Sequence, residues 1–161
     1  IYSASGDLSV KDNIMVGCFM RTSSRVQALE QADEVMQLLK LHASAEVQVS
    51  ELPVASQKRV TMATALATRP KLLLLDEVAA GLNSGEIDEI LGYIRHIHGQ
   101  LGVTVMLIEH VMELVMKISQ RVFVLDSGKL ISHGSPDTVA KDPKVIQAYL
   151  GERYAKEYLD T

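Results

Sequence analysis

The chain has 161 residues, 47% of them hydrophobic, and a formal net charge of -4. That length supports one sizeable core, or one core with a small appendage. Lys and Arg are scattered along the chain, which excludes an electrostatic grip on nucleic acid, and no apolar run approaches the roughly 18 residues of a membrane span.

Residues 1–10 are Ser/Gly-rich, read as irregular, and lack the basic start and apolar stretch of a signal peptide. Since the first residue is Ile, the natural polypeptide is expected to begin further upstream. Residues 11–20 predict a short helix entered at Asp12. It carries the single cysteine, Cys18, which reads as a small buried apolar residue and fits a reducing compartment. Ser24 and Gln27 have the spacing of a capping box. Val26, Leu29, Ala32, Met36 and Leu39 then recur at helical spacing, predicting an amphipathic helix over 25–41.

Residues 42–55, with Pro53, read as a loop. Ser56 is the expected cap of a helix over 57–68, with Val60, Ala63, Leu66 and Ala67 inward and Arg69-Pro70 as its stop. Residues 71–76 (KLLLLD) predict a strand buried on both faces, as in a parallel sheet. Asn83 and Glu86 suit a cap and its N3 partner, and Ile87, Ile90, Leu91, Ile94 and Ile97 make an apolar stripe running to Gly99. Residues 103–109 read as a second strand and 111–118 as a short helix. Residues 121–126 and 129–133 flank Ser127-Gly128, a hairpin signal. Pro136 and Pro143, after Ser135 and Asp142, suit first helical positions. From residue 152, Tyr154, Tyr158 and Leu159 fall on one helical face. Strand, helix, strand, helix and hairpin argue α/β with a parallel sheet, preceded by a mainly helical lobe.

Three places could carry chemistry. The strand 71–76 ends abruptly in Asp76 and Glu77, and strand C-termini are where open α/β sheets bind ligands. A first carboxylate there can hold Mg²⁺; a second can orient or deprotonate a water. Read without further context, the two acids equally suit a solvated strand end. Ile108-Glu109-His110 closes the second strand. If the strands are parallel neighbours joined by a right-handed crossover, His110 comes near the acid pair, where it could bond a terminal phosphate. A structural surface His fits this position too, and Glu109 reads as solvated. Ala80-Gly81-Leu82-Asn83 is a turn that Gly81 makes possible; an ordinary strand-to-helix loop explains it equally well.

Taken together and in order, LATRPKLLLLDEVAAGLNSGEIDEI followed by TVMLIEHVMELVMKISQRVFVLDSGKLISHGSPDTV resembles the second half of an ABC-transporter ATPase. The phrases LIEHVMELVMKIS and DPKVIQAYLG (142–151) most resemble the branched-chain amino-acid uptake class, and LSVKDNIMVG (8–17) resembles the segment after the Q-loop. The resemblance implies the C-terminal part of a P-loop NTPase (ABC ATPase) fold. It divides the chain into a partial helical lobe (1–56), a core part (57–151) and a tail (152–161). It makes Asp76 the Walker B acid on Mg²⁺, Glu77 the catalytic carboxylate, His110 the switch histidine, and Gly81 and Asn83 part of the D-loop toward ATP. It further implies a second ATP-binding subunit, in a homo- or heterodimer, and membrane permease subunits that hold the protein at the cytoplasmic face of the inner membrane.

The sequence departs from the family pattern in three respects. No G-x-x-x-x-G-K-[ST], the loop whose N–H groups and Lys cradle phosphates, occurs in the 161 residues; it and the Q-loop glutamine are expected upstream of Ile1. The LSGGQ-type signature is degenerate: aligned through Gln57, it reads Leu52-Pro53-Val54-Ala55-Ser56. Pro53 removes a hydroxyl and an N–H, while Val54 and Ala55 put side chains where glycines admit a phosphate. Val78 replaces the usual Pro. The alternatives are a catalytically inactive dimerising or regulatory protein derived from such an ATPase, and an unrelated α/β binding domain.

Overall fold

The structure, a computed structural model, describes residues 4–150; Tyr154, Tyr158 and Leu159 lie outside the described residues. The chain divides into two compact units at the Glu109–His110 junction.

In the first unit, helix α1 (Val10–Cys18) opens at Ser9 rather than Asp12: the Ser9 hydroxyl accepts the Asp12 N–H at 3.1 Å. The buried Asn13 satisfies its amide by bonding the backbone of Ser5, Leu8 and Ser9, which ties down the preceding segment. Helix α2 (Arg25–Leu38) starts at the expected cap, Ser24. Gln27 does not close the box, because its Oε1 accepts from the Thr22 hydroxyl at 2.6 Å. The buried stripe runs through Ala28, Ala32, Met36 and Leu39, whereas Val26 is 66% exposed. Val26 therefore stands clear of the packing while Ala28, in the same turn, faces inward, so the inward face is rotated from the one expected.

The stretch expected as a loop contains two short 3₁₀ turns, His42–Ser44 and Val49–Glu51. Helix α3 (Val54–Ala67) then begins earlier than expected, with Pro53 as N-cap and no side-chain cap bond. Proline's fixed φ suits a helix start, so Ser56 lies inside the first turn and cannot cap it. Helices α1 and α3 meet at Gly17, where a Cβ would stand 2.2 Å from the Thr64 carbonyl oxygen.

Strand β1 (Leu72–Asp76) and strand β2 (Thr104–Ile108) pair in parallel, in register from Leu72↔Thr104 to Asp76↔Ile108. Between them runs helix α4 (Ser84–Leu101), entered through a full Asn83/Glu86 capping box. It passes the expected stop at Gly99 and ends at Gly102, whose φ of 66° makes the left-handed turn. Ile90, Leu91, Ile94 and Ile97 are buried as expected. Strand β1 is not buried on both faces: Leu73 and Leu75 are covered, but Leu72 and Leu74 are 50% and 67% exposed. Met106 and Ile108 of β2 are also exposed. Within the first unit, helix packing covers the face that carries Leu73 and Leu75, whereas the face of Leu72, Leu74, Met106 and Ile108 is exposed.

The second unit holds helix α5 (Met112–Ile118) and the antiparallel hairpin of strands β3 (Val122–Asp126) and β4 (Lys129–Gly134). Positive φ at both Ser127 (48°) and Gly128 (76°) gives the tight turn its twist. Helices α6 (Pro136–Ala140) and α7 (Pro143–Leu150) follow. Val122, Val124, Val139 and Val145 form the core, with Val115 and Ile131 against it.

Candidate functional site

Strand β1 delivers Asp76 as its last residue and Glu77 immediately after it. The strand is driven inward by Leu73 and Leu75, so the chain surfaces at its carboxyl end and both acids are exposed. Glu77 is a turning point. Its φ of 47° lies in the left-handed region, which a β-carbon normally disfavours. Residues held in that region cluster at functional sites, where the surroundings fix them.

The turn continues through Ala79, which is 3% exposed, and Gly81, with φ 78°. A Cβ at Gly81 would stand 4.0 Å from the Val54 side chain, an ordinary contact, so the positive φ and not crowding is what calls for glycine here. Asn83 then caps α4: its Oδ1 accepts the Glu86 N–H at 3.0 Å, and Glu86 Oε2 accepts the Asn83 N–H at 2.9 Å. One oxygen of Asn83 is thus committed to the helix start.

The degenerate signature lies at the entrance of α3. The Ser56 hydroxyl accepts from the Arg59 guanidinium at 2.9 Å, and the Gln57 amide donates to the Leu52 carbonyl at 2.8 Å. Both side chains are engaged within their own segment. Val54 is 52% exposed, so an apolar side chain covers ground that a glycine would leave open.

The parallel register pairs Asp76 with Ile108, as the crossover argument expects. His110 follows two residues later, exposed, as the first residue of the second unit. Glu109 is not the solvated acid expected from sequence. Its Oε1 accepts the Ala79 N–H at 2.8 Å, and its Oε2 is buried. Sequence reasoning also missed Lys58, whose ammonium donates to the Glu77 carbonyl at 2.7 Å. Neither has a signal in spacing, because each acts on backbone far away in the chain. Among the described residues no group of three or more His, Cys, Asp or Glu side chains could hold a metal ion.

A parallel strand pair with a crossover helix and acids at its carboxyl end is an α/β arrangement, and the comparisons give its family. The ABC transporter family model matches residues 3–80, and that of the branched-chain amino acid ATP-binding cassette transporters matches residues 129–155. The chain belongs to the ATP-binding cassette family of ABC transporters. It is similar to the high-affinity branched-chain amino acid transport ATP-binding protein BraF of Pseudomonas aeruginosa, 38% identical over 87% of this chain and 56% of that protein. The corresponding protein LivG of Escherichia coli is 39% identical over 83% of this chain and 52% of LivG. The chain thus spans about half the length of the curated relatives it matches. Among solved structures, the ADP conformation of MJ1267, an ATP-binding cassette of an ABC transporter, superposes with a TM-score of 0.76 at 26% identity. That match covers 91% of this chain and 64% of the other.

Proposed function

We propose that this chain is the part of an ABC-transporter ATP-binding subunit that carries its metal-binding and water-activating carboxylates. The complete subunit would couple ATP hydrolysis to uptake of a small solute, and the likeness to BraF and LivG favours branched-chain amino acids. The observation that carries this reading is the Asp76-Glu77 pair at the carboxyl end of a strand in parallel register with the strand leading to His110.

In this reading Asp76 holds Mg²⁺, Glu77 orients and deprotonates the attacking water, and His110 bonds the terminal phosphate. Gly81 and Asn83 shape the D-loop, while Ser56 and Gln57 face the partner subunit's nucleotide. Mg²⁺ and ATP would supply the positive charge and the scissile phosphate. The exposed acids fit the metal and water roles. The described residues do not fit the phosphate role: two carboxylates cannot hold a polyanion without opposing donors, and no glycine-rich cradle with its lysine is present in the sequence. The exposed Phe19, Met20 and Val26 around the α1–α2 connection suit docking on a protein partner, here the permease subunits at the cytoplasmic face of the membrane. A second ATP-binding subunit would complete the dimer.

The reading is tested by uptake. A chimera in which this chain replaces the matching half of LivG should restore leucine uptake to Escherichia coli lacking LivG when Pro53, Val54 and Ala55 are changed to Ser, Gly and Gly. It should fail when E77Q is added. Uptake that survives E77Q would overturn the assignment.

A further inference from the structure

The turn after β1 is fixed from two sides by side chains outside the acid pair. On one side Lys58, from α3, donates to the Glu77 carbonyl at 2.7 Å. On the other, Glu109, at the end of β2, accepts the Ala79 N–H at 2.8 Å. Backbone bonds from the Glu77 N–H to the Ile108 carbonyl (2.9 Å) and from the Ala80 N–H to the Glu77 carbonyl (3.2 Å) complete the set. Ala79 is buried, so water cannot substitute for the acceptor that Glu109 provides. The second Glu109 oxygen is also buried, with no hydrogen bond among the described residues. A carboxylate with one oxygen desolvated is a poor choice for stability alone, since an apolar side chain would carry no such penalty. What the carboxylate supplies, and an apolar residue cannot, is an acceptor aimed at the turn.

We propose that Glu109 is a positioning residue. With Lys58 opposite, it holds Glu77 in the left-handed conformation that sets the direction of its side chain beyond β1. The catalytic meaning of this brace rests on the reading of Glu77 as the water-activating carboxylate. The brace itself is a property of the chain without nucleotide.

The test is hydrogen exchange of the full 161-residue chain, resolved to single amides. In E109A the Ala79 amide should exchange at least about tenfold faster than in the unaltered chain, while the Ile90 and Ile94 amides of α4 keep their rates. In E109Q, which retains an acceptor oxygen, the Ala79 rate should stay within about threefold of the original. Unchanged Ala79 exchange in E109A would overturn the proposal. So would E109Q behaving like E109A, or a loss of protection in E109A that spreads equally through α4. No arm uses ATP, so failure of the nucleotide reading and failure of the brace are separate results.

Discussion

At the scale of single residues, steric closeness and burial set the behaviour of two side chains in α1. Gly17 lies where any β-carbon would run into the Thr64 carbonyl of α3. G17A should therefore destabilise the fold by about 1–3 kcal/mol, the usual cost of overpacking a tight contact, read as a lower urea midpoint at unchanged slope. Cys18 is fully buried and free, and burial pushes its thiol above the ordinary range, outweighing the nearby Arg69 charge. Thiolate is the reactive form, so Cys18 should resist a disulfide reagent at pH 8 in the folded chain and react promptly in urea. The buried character of Cys18 was legible from its type and helical setting. The constraint on Gly17 was not, because nothing in its own segment records which backbone lies across from it. The same holds for Glu109, whose role depends on a backbone N–H 30 residues away in the chain.

At the scale of elements, the sequence predicts best where local chemistry decides. The Asn83/Glu86 box, the Ser24 cap and the Ser127-Gly128 turn stand where spacing expected them. It predicts less well where packing chooses: α2 turns Ala28 inward and leaves Val26 outside, since helical periodicity gives a face but not its rotation against neighbours. At α7, Asp142 accepts bonds from the Ser132 hydroxyl and the Lys144 N–H, which hold its carboxyl below the ordinary aspartate value. A depressed folded pKa stabilises the charged form, so this contribution is complete above the unfolded value and is lost as pH falls through the folded one. Thermal unfolding followed below about pH 4, the ordinary aspartate range, should show the original chain losing stability on acidification more steeply than D142N.

At the scale of the whole molecule, exposed apolar surface has consequences. Leu72, Leu74, Met106 and Ile108 line one uncovered face of the β1–β2 pair. An exposed apolar sheet face of this kind favours association. Sedimentation of the 161-residue chain should therefore show mass rising with concentration, and L74E with M106E should shift it toward the monomer. The strand run 71–76 revealed the sheet but not its bare face, because an apolar strand reads alike whether or not both sides find partners. The carboxylate pair, the turn and the histidine are proposed from their fixed order in the sequence, whereas the bonds that Lys58 and Glu109 make to the turn required the fold. The central claim is that Glu77 activates the water. It is tested most directly by single-turnover hydrolysis of Mg-ATP in the LivG chimera carrying P53S, V54G and A55G. The account predicts that E77Q keeps nucleotide binding but slows hydrolysis by about 10²–10⁴-fold, the usual contribution of a general base. Hydrolysis by E77Q as fast as by its parent would contradict it.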